Sequence, residues 1–150
     1  MWNTTPRRRL SFITVFAAAT ALVACGDSTG PDDHEEIPHE VRLTVGSQVI
    51  TINEDGVVTG GPITIPVGST NITAVFLDDE GDVIGDLSAD EYELQVTSDN
   101  AAVASFNRTS AFAGSLVGGM AGQTVLRFSL FHLEEQHEDF GPFPVTVVVS

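Results

Sequence analysis

The histidines of this chain are few, clustered and surrounded by carboxylates. All four lie in two short acidic runs. One reads Phe131-His132-Leu133-Glu134-Glu135-Gln136-His137-Glu138-Asp139-Phe140. The other, Asp32-Asp33-His34-Glu35-Glu36, has His39 close behind it. Imidazole nitrogen together with carboxylate oxygen is a donor set for Zn²⁺, Cu²⁺ or Ni²⁺. His132, His137, Glu134, Glu135 and Asp139, joined by His34 and His39, are therefore the candidate ligands of an exposed divalent-metal site, with zinc or copper as its ion. Their spacing is not the His-Glu-x-x-His of zinc proteases, so the pattern predicts binding and not catalysis. The competing reading is a solvated acidic hairpin loop. In that reading His132 continues the phase of Leu126, Phe128 and Leu130 and is partly buried at a strand end.

Other polar runs yield less. Asp78-Asp79-Glu80-Gly81-Asp82 has the carboxylates of a calcium loop but not its spacing, which requires alternating ligands, a Gly at the sixth place and a Glu at the twelfth. It predicts a hairpin turn. Gly118-Gly119-Met120-Ala121-Gly122-Gln123-Thr124 has no lysine after its last glycine, so it does not cradle phosphate. No hydrolase elbow, no nucleophile paired with a base and no catalytic residue is expected, and the chain reads as non-enzymatic.

The single cysteine, Cys25, excludes an intrachain disulfide. It follows Arg7-Arg8-Arg9 and the apolar and small residues 10–24. A basic head before about 7–15 apolar residues is the pattern of a secretory signal. The run is shorter than the roughly 20 residues of a membrane span. Its end, Leu22-Val23-Ala24-Cys25-Gly26, resembles the bacterial lipobox. That resemblance implies cleavage before Cys25, a thioether-linked diacylglycerol on its sulfur and a further acyl chain, such as palmitate, on the new amino group. Each buried methylene contributes about 0.8 kcal/mol, so one acyl chain holds marginally and two or three hold firmly. Gly26 stands where an inner-membrane retention signal would place Asp. The expectation is a lipid-anchored envelope protein at the outer membrane, on its periplasmic or surface face.

Without residues 1–24 the chain keeps Arg42, Arg108 and Arg127 against all 21 acidic residues, a side-chain balance of −18. Phosphate binding needs clustered Lys and Arg, so a nucleic-acid partner is excluded. So is direct contact of the polypeptide with an anionic membrane surface. An acidic surface favours solubility and attracts cations. Residues 25–40 combine Gly, Pro and charge with one large apolar residue, Ile37, too little to fold alone. They are expected to form a flexible acidic tether.

From Val41 onward the pattern has period two, as strands with one buried face require. Val41, Leu43 and Val45 alternate with polar residues. Ile50 with Ile52, and Ile63 with Ile65, do the same. So do Ile72, Ala74 and Phe76; Tyr92, Leu94 and Val96; Leu126, Phe128 and Leu130; and Val145, Val147 and Val149. Turn signals separate the runs at Asp55-Gly56, Gly60-Gly61-Pro62, Glu80-Gly81, Ser98-Asp99-Asn100, Gly118-Gly119 and Gly141-Pro142. The expected architecture is one all-β antiparallel sandwich over residues 41–150.

The order of these motifs resembles the group 2 bacterial Ig-like domains found in intimin- and invasin-like surface proteins. The resemblance is carried by Ile72-Thr73-Ala74-Val75-Phe76 leading into the acidic-Gly turn and by Leu94-Gln95-Val96-Thr97-Ser98-Asp99-Asn100. Ala102-Val103-Ala104-Ser105-Phe106, the Gly-rich turn before Val125-Leu126, and Pro144-Val145-Thr146-Val147-Val148-Val149 complete it. It implies an Ig-like sandwich acting as a structural or interaction module toward an envelope protein or surface ligand, and it supplies no catalytic residues. Val96 departs from the family, which often carries Trp there, and the His-containing acidic insert is an addition to it. A periplasmic or surface metal-binding lipoprotein is the alternative expectation.

Overall fold

The computed structural model describes residues 37–150. Cys25, His34 and the signal and tether expectations up to residue 36 lie outside the described residues.

Ten strands follow one another: β1 Glu40–Val45, β2 Gln48–Asn53, β3 Val58–Thr59, β4 Ile63–Ile65, β5 Gly68–Leu77, β6 Tyr92–Ser98, β7 Ala104–Ser110, β8 Ala113–Gly118, β9 Gly122–His132 and β10 His137–Val149. They form a six-stranded sheet in the order β3-β2-β1-β5-β8-β7 and a four-stranded sheet in the order β4-β10-β9-β6. The inward residues of both sheets make one core. Leu43, Ile50, Ile52, Ile72 and Leu116 come from the first sheet. Ile63, Leu94, Leu126, Phe128, Leu130 and Val147 come from the second. Full burial of one such side chain contributes about 1.5–3 kcal/mol, so the alternating pattern itself holds the two sheets face to face.

The structure departs from the sequence reading in five places. First, β4 runs parallel to β10, with Ile63 opposite Val147 and Ile65 opposite Val149, so the second sheet is mixed. Second, Gly141-Pro142 is not a turn. It lies within β10, where the register with β9 shifts between Phe140 and Phe143. Proline has no N–H to donate to the ladder, and a bulge is where a strand tolerates it. Gly141 has φ +85°, and a Cβ there would meet the Phe128 carbonyl oxygen at 2.5 Å.

Third, β8 has buried positions Gly114, Leu116 and Gly118, so glycine conceals its period. The Phe106 ring covers Gly114 and occupies the space a side chain would need. Fourth, the run from Ala102 to Phe106 is not all strand. Val103 and Ala104 donate to the Asn100 carbonyl, and β7 starts only at Ala104. Fifth, the sandwich begins a little before Val41. Pro38 is buried, Glu40 pairs with Asn53 and Leu77, and His39 donates to the Leu77 carbonyl while accepting from the Glu54 amide. Backbone pairing with β2 and β5 draws these polar residues into the fold despite their composition.

Candidate functional site

The second acidic-His run is the hairpin between β9 and β10. His132 ends β9, His137 starts β10, and the two face each other as a cross-strand pair. Residues 133–136 turn the chain. The Gln136 amide donates to the His132 carbonyl at 2.9 Å, and Gln136 has φ +59°. The left-handed conformation closes the loop so that both imidazoles stand on one side of the hairpin. The Leu133 amide donates to the Glu91 carbonyl at 2.7 Å, fixing the turn to the chain just before β6.

His132 is the anchored member. Its side chain is 12% exposed. It pairs with Tyr92 across the β6–β9 ladder and stacks on that ring, with centroids 4.5 Å apart and planes inclined by 26°. Glu135 Oε2 lies 3.8 Å from His132 Nδ1 and 3.5 Å from His137 Nδ1. Asp139 completes the cluster, with Oδ1 2.5 Å from His137 Nε2 and Oδ2 3.6 Å from His132 Nδ1. Beside the cluster lies a cleft of about 390 Å³, with Ile37, Pro38 and Leu130 among its apolar residues and Glu138 on its polar side.

Of the ligands expected from sequence, the structure brings His132, His137, Glu135 and Asp139 together. Glu134 is exposed on the turn and is not one of the converging residues. His39 stands elsewhere, with Nδ1 2.8 Å from Glu54 Oε2, in an acidic hollow that also includes Asp78, Asp79 and Glu80. Tyr92 is the residue that sequence reasoning missed as part of the site. Its phase with Leu94 and Val96 marked it as core-facing, but nothing in its own neighbourhood pointed to His132.

The run of residues 78–82 is the expected turn. Asp78 Oδ1 accepts from the amides of Glu80 and Asp82, both at 2.9 Å, and Leu77 bridges to Val83. Gly26-Asp27-Ser28-Thr29-Gly30 does spell the Gly-x-Ser-x-Gly of a hydrolase elbow, contrary to the expectation that none occurs. It lies outside the described residues.

The arginines of the described residues are all ion-paired. Arg42 meets Glu40 at 3.5 Å within β1. Arg108 on β7 pairs with Glu93 on β6 and so links the two sheets. Arg127 pairs with Asp99, whose hydrogen bond and charge hold the guanidinium above its ordinary pKa.

No family model matches this chain, and no curated protein does. Among solved structures it is similar to the S-layer protein SbsC domains 4 and 5, at 12% identity over 74% of this chain and 76% of that one, with a TM-score of 0.40. A likeness of that size carries no functional argument. The all-β, two-sheet class stands on the strand ladders of the chain itself.

Proposed function

We propose that this chain is a lipid-anchored protein of the bacterial cell envelope, held at the outer membrane through Cys25. Its Ig-like sandwich serves as a non-enzymatic structural or interaction module. The observation that carries the reading is the division of the chain. An apolar run closes on Leu22-Val23-Ala24-Cys25, a short acidic Gly- and Pro-containing run follows, and a self-contained sandwich core then opens at Glu40. Hydrocarbon on a sole sulfur, a polar tether and a folded head form the sequence of parts a surface-presented module requires. The β7 edge of the six-stranded sheet, unpaired among the described residues, supports a role in recognition. On β7, Asn107, Arg108, Thr109 and Ser110 are exposed, and an edge strand offers backbone groups to a partner strand.

The test is metabolic labelling with palmitate in a bacterial host. The wild-type chain takes up label, and Cys25→Ala takes up none and accumulates as uncut precursor. A Cys25→Ala chain that is still cut and still sediments with membranes overturns the proposal.

A further inference from the structure

Three donor groups meet at the tip of the β9–β10 hairpin in a way that a solvated acidic loop does not require. Glu135 Oε2 sits between the Nδ1 atoms of His132 and His137, at 3.8 and 3.5 Å. Donor atoms of all three residues lie within 4.8 Å of one another. Zinc bonds to imidazole nitrogen and carboxylate oxygen are about 2.0–2.1 Å long, which sets neighbouring ligands of a tetrahedral ion about 3.3 Å apart. Both Glu135 separations are within a few tenths of an ångström of that edge. We propose that His132, Glu135 and His137 form a binding site for one divalent transition-metal ion, Zn²⁺ or Cu²⁺. Asp139 orients the imidazoles, with Oδ1 against His137 Nε2 and Oδ2 3.6 Å from His132 Nδ1.

Rigid and adjustable parts are divided as such a site needs. The stacked Tyr92 ring and the β9 ladder fix His132. The side chains of His137 and Glu135 are 49% and 64% exposed and close onto the ion without disturbing the core. His137 Nε2–H donates to Asp139 Oδ1 at 2.5 Å, which leaves the Nδ1 lone pair facing Glu135. A carboxylate behind a ligating imidazole fixes its tautomer and raises its basicity. Three protein ligands on an exposed turn leave a fourth position to water or to a group from a partner, and the acidic surface draws cations toward it.

Isothermal titration of the full chain in non-ionic detergent with Zn²⁺ and with Cu²⁺ tests this. His34→Ala and His39→Ala together should leave one tight site in place. His137→Ala should weaken it by more than about 100-fold and Asp139→Asn by about 10-fold or more. His132→Gln keeps a planar side chain over Tyr92 and should also abolish tight binding. Circular dichroism of each variant confirms the fold. With Co²⁺ as probe, strong visible absorption of a four-coordinate ion should appear in the wild type and vanish in His137→Ala. No tight site in the wild type, or equal affinity in the folded His137→Ala and His132→Gln chains, overturns the proposal. Because Cys25→Ala leaves the hairpin intact, failure of this site and failure of the lipid anchor are read separately.

Discussion

Two acidic turns of similar composition do different work in this molecule. After β5, the Asp78 carboxylate is consumed by its own backbone, accepting from the Glu80 and Asp82 amides. Between β9 and β10, the donors of His132, Glu135 and His137 face one another. The difference comes from the partners of the carboxylates. Backbone bonds close both loops, Asp78 with Gly81 and Asp82 in the first and Gln136 with His132 in the second, but in the first the Asp78 side chain joins them as in an Asx turn. In the second, the Glu135 carboxylate faces the His132 and His137 rings instead. Acidic composition alone therefore says little about binding, and the partner of each oxygen decides.

Substitutions at four positions break or sharpen that contrast. Both turns hang from strands that share one core, and Phe128→Ala should lower stability by about 3–5 kcal/mol in chemical denaturation. A loss under about 1 kcal/mol would show that the turns do not depend on a common core. Asp78→Ala frees two amides and should cost about 1–2 kcal/mol. Asp78→Asn, which retains an accepting oxygen, should cost less, and neither variant should alter Zn²⁺ affinity. Arg108→Ala removes a pair that spans the sheets and should cost up to about 1 kcal/mol, less at high salt. An undiminished effect in molar salt would point to packing of the Arg108 stem. Glu135→Ala marks the other pole. It should change apo stability by less than about 0.5 kcal/mol, because Glu135 is exposed, while removing the stabilisation that added Zn²⁺ gives to the thermal transition. A large apo loss would make Glu135 a structural residue like Asp78.

Most of the sandwich was legible from period two. Val41–Val45, Ile63–Ile65 and Tyr92–Ser98 declared their faces because side chains alternate along a strand irrespective of the partner. β8 stayed hidden because Gly114 and Gly118 occupy inward positions that other strands fill with large apolar residues. The Gly141-Pro142 bulge was mistaken for a turn because both features call for the same residues. At the site, histidine and carboxylate counting gathered His132, Glu135, His137 and Asp139, which the fold brings together, and also Glu134 and His39, which it does not. The fold sets His39 against Glu54.

The amino-acid order by itself determined what is local: the inward faces of strands that carry large apolar residues, most of the turns, the acidity, and the chemical setting of Cys25. Only the tertiary structure decided what depends on register and on distant partners. It paired His132 with His137, laid Tyr92 of β6 over His132, and ran β4 parallel to β10. Alternation fixes a side chain's face but not its neighbour, and the neighbour is set by how the ladders slide into place when the two sheets bury a common core.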